Sequence, residues 1–138
     1  MIQEDKELLL KDLCARLPYG VKCEVIARDI DGEMLFMRNG SHALELTVDN
    51  VKELVTNNMY EIKPYLFHLS SMTEEQKREY NLLRDFVPTY HYEYGDIVED
   101  TELYDNWGSI DYLIANHFDY RELIEKGLAI DATDLNIY

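Results

Sequence analysis

The stretch TYHYEYGDIVEDTELYDNW, residues 89–107, decides how this chain is organised, because its two halves point to different elements. Over 89–94, Tyr90, Tyr92 and Tyr94 alternate with His91 and Glu93, the period of a strand or an extended loop. Asp96-Ile97-Val98-Glu99 then has the capping-box pattern, so 96–104 is expected to form a short helix. In such a helix Asp96, Glu99 and Asp100 share one face about 5–6 Å apart, and each like-charge pair costs roughly a few tenths of a kcal/mol. A cost of that kind invites a compensating positive partner.

The same stretch is the centre of a charge asymmetry. Residues 85–138 hold 13 of the 28 carboxylates but only two of the 13 Lys and Arg, Arg121 and Lys126, so they carry 11 of the 15 net negative charges. Seven of the 11 tyrosines lie there as well. The first 84 residues, with 15 acidic and 11 basic side chains, have an ordinary surface balance. A hydrophobic content of 46% is too high for a disordered acidic tail, so the charged part is expected to fold. A chain of 138 residues is expected to make one domain, with 1–72 as a helix plus antiparallel meander and 73–138 as an acidic, mainly helical part packed on it.

Working toward the N-terminus, 73–86 reads as a helix opened by the capping box Thr73-Glu74-Glu75-Gln76 and ended by Pro88. Before it, 60–66 reads as a strand, with Pro64 placing it at an edge or a strand end. Asn50-Val51-Lys52-Glu53 fits a capping box that opens a short helix to about Thr56. Strands are expected over 21–27, 34–38 and 43–48, joined by tight turns at Asp31-Gly32 and Asn39-Gly40. Leu9, Leu10, Leu13, Cys14 and Leu17 mark one face of an opening helix over 3–16. Toward the C-terminus a last helical region starts at Ser109, buries Ile110, Leu113, Ile114, Phe118, Leu123 and Ile124, and closes at Gly127, with a restart at Asp119 as one option. The fold class is therefore α+β: an N-terminal helix on a small antiparallel meander, SH3-like if it curls and open if it does not, followed by a helical acidic C-terminal half.

The pieces LCARLPYGVK, IKPYLFHLSSMTEEQ and HFDYRELIEKGLAIDA resemble a family of small acidic hypothetical proteins from gut anaerobes and their prophages. The resemblance spans most of the chain from Leu13 onward. It implies a cytoplasmic protein carried by mobile elements, a setting in which small acidic proteins that interfere with nucleic-acid enzymes recur. It assigns no activity, cofactor or functional residue.

No run approaches the ~18 apolar residues that cross a membrane, and the charged start is unlike a secretory signal, which again points to the cytoplasm. Net charge of this sign disfavours direct contact with nucleic acid or anionic lipid. Cys14 and Cys23 read as buried free thiols, and His42, His68, His91 and His117 lack the spacing of a zinc site. Asp29, Asp31 and Glu33 around Gly32 read as turn chemistry rather than a calcium loop. No metal or cofactor site is written in the sequence.

Three functional readings follow. The first is a non-catalytic interaction protein in which Glu93, Asp96, Glu99, Asp100, Glu102 and Asp105, with Tyr90, Tyr92, Tyr94, Tyr104 and Trp107 as aromatic anchors, dock on a basic, nucleic-acid-handling protein. The second is a peptide-binding or oligomer-forming module that uses the meander, with Tyr19, Met34, Phe36 and Tyr65 along an exposed groove. The third is an enzyme that uses either an acid–base pair of His117 with Asp119 or Glu122, for which no nucleophile or oxyanion donor is readable, or the acid cluster itself.

Overall fold

The structure, a computed structural model, describes residues 2–138. They form two compact units, one comprising the chain up to Ser71 together with Ile114–Tyr138, the other Met72–Leu113.

The first unit is built on a mixed sheet. Strand β1 (Lys22–Arg28) lies inside it, with β2 (Met34–Arg38) and β3 (Leu44–Glu45) along one side and β4 (Tyr60–His68) along the other, all antiparallel to it. Beyond β4, two short strands, β7 (Phe118–Asp119) and β8 (Ile130–Asp131), add in parallel. Strict alternation along β1 buries Cys23, Val25 and Ala27 on one face. Helix α1 (Gln3–Arg16) and the short helix α2 (Val51–Thr56) cover that face, so Leu9, Leu13, Leu54 and Val55 share a core with Val25, Ile62 and Leu66.

The expected meander is not how the strands connect. The Asp31-Gly32 turn does join β1 to β2: the Gly32 N–H donates to Asp29 O at 3.0 Å, and only Gly32 of that pair takes a positive φ. Asn39-Gly40 makes no second hairpin. It forms a single 3-10 turn (Gly40–His42), after which β3 continues in the same direction along the same side of β1. The expected strand 43–48 shrinks to two residues, and β4 pairs with β1 rather than with β3. Among the described residues β2 pairs only with β1, so the sheet stays open and is not an SH3-like barrel.

Pro64 is neither in an edge strand nor at a strand end. It is the last β4 residue opposite β1, and pairing with β8 begins at the next residue, so the missing N–H falls where the ladder changes sides. Helix α2 forms without its expected capping box; the Asn50 side chain instead accepts from the Thr47 N–H at 2.9 Å. Cys23 is buried, and its thiol pKa is pushed up by loss of solvent; Cys14, expected inside, is exposed. The buried stripe of α1 is Leu9, Asp12, Leu13 and Arg16, which takes in an ion pair that an apolar-only reading overlooks.

The expected C-terminal helix running on to Gly127 is absent. Helix α4 (Trp107–Ala115) stops early because His117 takes the left-handed conformation (φ 63°), and Glu122 (φ 60°), left-handed as well, interrupts a restart at Asp119, while Gly127 (φ 74°) does take the left-handed conformation expected of it. Asp119 does cap, but it caps a turn: its two oxygens accept the N–H groups of Leu123 and Ile124, each at 2.9 Å. Leu113, Ile114, Phe118 and Leu123 are still buried, so the apolar spacing was right about burial and wrong about the backbone.

His117 stacks on Tyr138 with ring centroids 3.6 Å apart, and the Tyr138 hydroxyl accepts from the Lys22 N–H at 2.9 Å and donates to Tyr65 O at 2.8 Å. Burial, then the charges of Arg16 and Lys22, lower the His117 pKa to about 4. The unfolded chain, with a histidine near 6.5, therefore binds the proton first as pH falls. Stability from this residue is whole above pH 6.5 and is lost between there and about 4. Allowing for the partial exposure of the ring, the loss should come to about 1–2 kcal/mol. Urea midpoints at pH 7 and pH 4.5 for wild type and His117→Gln measure it; an equal acid-induced fall in both proteins rejects this role.

Candidate interaction surface

The second unit carries the stretch 89–107, and the structure resolves its two readings in favour of one element. Strands β5 (Asp85–Glu93) and β6 (Asp96–Tyr104) form a two-stranded antiparallel ribbon of nine consecutive pairs, from Asp85 with Tyr104 to Glu93 with Asp96. The expected helix over 96–104 is absent. Ile97, Val98, Thr101 and Tyr104 favour a pleated strand, and nine pairs to β5 outweigh a capping box that satisfies two amides. The turn is Tyr94-Gly95, with φ of 51° and 84°, the pair of positive values that suits the twist of a tight hairpin. A two-residue X-Gly step between alternating runs was the readable signal.

Helix α3 (Glu74–Leu83) precedes the ribbon and opens on the expected capping box: the Gln76 N–H donates to Thr73 Oγ1 at 3.1 Å, and the Gln76 side chain accepts the Thr73 N–H at 3.0 Å. It ends three residues earlier than expected because Phe86 and Val87 are taken into β5. Polar bonds fasten the ribbon base. The Asn106 amide donates to Leu83 O at 2.7 Å and to Asp85 at 3.1 Å, and Arg84 donates to Leu103 O at 2.8 Å. Asp105 accepts from Tyr80 and from Ser109 and lies 3.5 Å from Arg84. Burial and then the Asp105 bond push the Tyr80 pKa up to about 12; burial and then Glu79, bonded at 2.9 Å, do the same for Tyr112.

Residues directly opposite in an antiparallel pair point to the same side, so the register sorts the ribbon into two faces. One face holds Asp85, Glu93, Asp96, Asp100 and Glu102, with Tyr104, Val87, Thr89, His91 and Val98. The other holds Phe86, Pro88, Tyr90, Tyr92, Ile97 and Leu103, with Thr101 and a single carboxylate, Glu99. Between Asp85 and Tyr104 there is no Lys or Arg. Within the ribbon the five carboxylates of the first face thus have no Lys or Arg beside them, and His91 Nε2 lies 3.6 Å from Glu93. Glu93 and Asp96 stand directly opposite each other, a destabilising placement for like charges. Glu102 accepts from the Tyr104 hydroxyl, which raises the tyrosine pKa.

The residues expected to form one docking surface are thus divided. Glu93, Asp96, Asp100, Glu102 and Tyr104 share the acidic face, whereas Glu99, Tyr90 and Tyr92 lie on the aromatic face. Tyr94 is at the turn and 99% exposed, and Trp107, 92% exposed, opens α4. Asp105 is engaged at the ribbon base. The sequence pattern placed Glu99 with Asp96 because a helix and a strand sort alternate residues differently.

In the first unit, Tyr65 is buried and its hydroxyl accepts from the Gly40 N–H, which removes it from the expected groove, while Met34 and Phe36 are exposed on the edge strand. His117 has neither Asp119 nor Glu122 as a partner: it stacks on Tyr138, and Asp119 is spent on two backbone amides. A surface depression lined by Arg28, Asp29, Ile30, Asn58 and Met59 has one carboxylate, Asp29, which accepts the Asp31 and Glu33 N–H groups as a turn residue. Among the described residues no three or more His, Cys, Asp or Glu are grouped to hold a metal ion, and no helix is long and apolar enough to cross a membrane. Comparison with protein-family models, with curated proteins and with solved structures gave no match.

Proposed function

We propose that this protein is a non-catalytic interaction module whose β5–β6 ribbon presents its acidic face to a basic protein partner of the kind that handles nucleic acid. The observation that carries this reading is the segregation of five carboxylates on one face of a ribbon with no Lys or Arg. Their mutual repulsion stabilises nothing in the chain itself, and a wall of Lys and Arg relieves it. Such walls line grooves built for duplex DNA, which presents one negative charge about every 1.7 Å along its axis. Tyr104 adds an aromatic group to the same face. Attraction of this type acts first on the association rate and weakens with salt.

A pull-down from cell lysate at low salt tests it, comparing wild type with a variant carrying Glu93→Gln, Asp96→Asn, Asp100→Asn and Glu102→Gln. The basic partner should be recovered at least tenfold less well by the variant, and wild-type recovery should fall steeply as salt is raised. Equal recovery of every partner by both proteins rejects the reading.

A second reading rests on β2, where Met34, Leu35, Phe36 and Met37 are all exposed on an edge strand, the setting in which an extended peptide adds to a sheet. The register slips between Ala27 and Arg28, leaving Leu35 as a bulge, a device that blunts edge pairing and favours the ribbon as the docking element.

A further inference from the structure

We infer that residues 133–138 form an acid-sensitive latch on the first unit: a proton on His117 releases Tyr138, and the segment swings off the sheet while the main core stays folded. Every residue involved belongs to the first unit, so the latch is independent of the docking read from the ribbon.

Tyr138 is built into the sheet. The pairing of β1 with β4 ends at Cys23 opposite Pro64, and in that register Lys22 and Tyr65 are the next residues to face each other. The Tyr138 hydroxyl bridges them instead of a direct rung, accepting the Lys22 N–H at 2.9 Å and donating to Tyr65 O at 2.8 Å. Lys22 Nζ also donates to Ile137 O at 3.1 Å, and the Phe67 and Tyr138 rings lie 6.0 Å apart. The rest of the segment is held lightly. Residues 133–136 are exposed, and the bonds of Thr133 and Leu135 go to nearby Asp131 and Ala132. Ile137 packs in a small cluster with Tyr65 and Ala132, apart from the main core of Leu9, Val25 and Leu66.

His117 supplies the trigger. Its ring stacks on Tyr138 with centroids 3.6 Å apart, and its Nδ1 is buried with no hydrogen-bond partner among the described residues. A neutral imidazole tolerates that, whereas an imidazolium carries a donor at both nitrogens and its Nδ1 proton has nothing to donate to. The surrounding charges oppose the proton as well. Arg16 of α1 and Lys22 of β1 act on His117, and both are cations. Asp12 is held by Arg16 and Arg121, Asp119 by two backbone amides, and Glu45 acts on Tyr138. Lys22 Nζ already lies 5.9 Å from the Tyr138 ring centroid, so the attraction of that ring for a cation is shared before His117 gains a charge. Moving Tyr138 away opens the imidazole to water, where it charges without these costs.

Linkage gives the direction. The open form, with a histidine near 6.5, takes up the proton before the latched form, in which burial first and then Arg16 and Lys22 lower His117 to about 4. Opening is therefore constant above pH 6.5 and grows as pH falls toward about 4, by at most about tenfold per pH unit. Because the ring is part-exposed even when latched, the rise by pH 4.5 should be about five- to thirtyfold.

Amide hydrogen exchange of the full chain, followed by NMR from pH 7 to 4.5 and expressed as protection relative to an unstructured amide, tests the latch. The Lys22 amide should be at least tenfold less protected than that of Val25 in the middle of β1, and its exchange should be insensitive to low urea. Its protection should fall about five- to thirtyfold across the range. In His117→Asn, which cannot titrate and keeps a side chain suited to positive φ, it should stay level. Tyr138→Phe, which keeps the ring and removes the hydroxyl, should lower Lys22 protection at pH 7 at least tenfold and leave Val25 unchanged. The latch is overturned if Lys22 is as protected as Val25, if its protection does not fall with acid or falls equally in His117→Asn, or if Tyr138→Phe leaves it unchanged.

Discussion

Replacing Asp12 by alanine is expected to cost about 3–5 kcal/mol, the usual penalty for breaking a buried ion pair and leaving its partner charged. Asp12 and Arg16 are both fully buried, one helical turn apart. Arg16 Nε donates to one carboxylate oxygen at 2.8 Å and Nη2 to the other at 3.3 Å, and the same Nη2 reaches Phe118 O at 2.7 Å. Arg121 Nε lies 3.2 Å from the carboxylate, close enough for charge pairing though not aligned as a hydrogen bond. One carboxylate thus faces two guanidinium groups, and removing it strands Arg16 with no water to turn to. For a chain of this size the loss corresponds to a fall in Tm of roughly 10–15 °C. Replacing the pair together, with Asp12→Leu and Arg16→Met, should recover at least half of the deficit, because both desolvation penalties disappear with the charges. Urea unfolding of the two variants decides the matter: a cost below about 1 kcal/mol for the single substitution means the pair does not hold this core.

The second large effect is expected at Leu66, where truncation to alanine should cost about 2–5 kcal/mol. Leu66 is fully buried in the main core, and its carbonyl accepts the Ala132 N–H at 2.8 Å where β8 joins β4. The cavity opens between strands that cannot close on it without breaking that pairing. Ile97 on the ribbon provides the contrast: it is a comparably large aliphatic residue, yet at 67% exposure Ile97→Ala should shift stability by no more than about 0.5 kcal/mol. The pair of measurements asks whether ribbon side chains serve the fold or its surroundings. A cost at Ile97 matching that at Leu66 means the ribbon face is covered and the surface reading is mistaken.

Several elements were legible from the chain alone. Helix α1 and strand β2 lie within their expected bounds, and the Thr73–Gln76 capping box forms as read. These are local codes, written in four to fourteen neighbouring residues and satisfied by those residues. Asn39-Gly40 shows the limit of such a code: it does turn the chain, but the strand that follows returns to β1, because β1 had an open side for it. Asp119 shows it again, since a capping residue marks amides to be satisfied without saying that a helix follows.

The candidate surface divides in the same way. Composition and spacing placed the acidic, tyrosine-rich segment at 89–107, and the carboxylate count there owes nothing to folding. Which carboxylates stand together was settled by pairing. As a helix, 96–104 would have joined Asp96, Glu99 and Asp100; as β6, it sets Glu99 with Tyr90 on one side and Asp96 and Asp100 on the other. What the sequence by itself determined, then, is where the charge, the apolar residues and the caps lie along the chain, since each depends on near neighbours. What only the tertiary structure decided is the partner of each strand, because 85–93 and 96–104 each lacked a packed helical face and together gained nine paired residues, and with that pairing came the separation of an acidic face from an aromatic one.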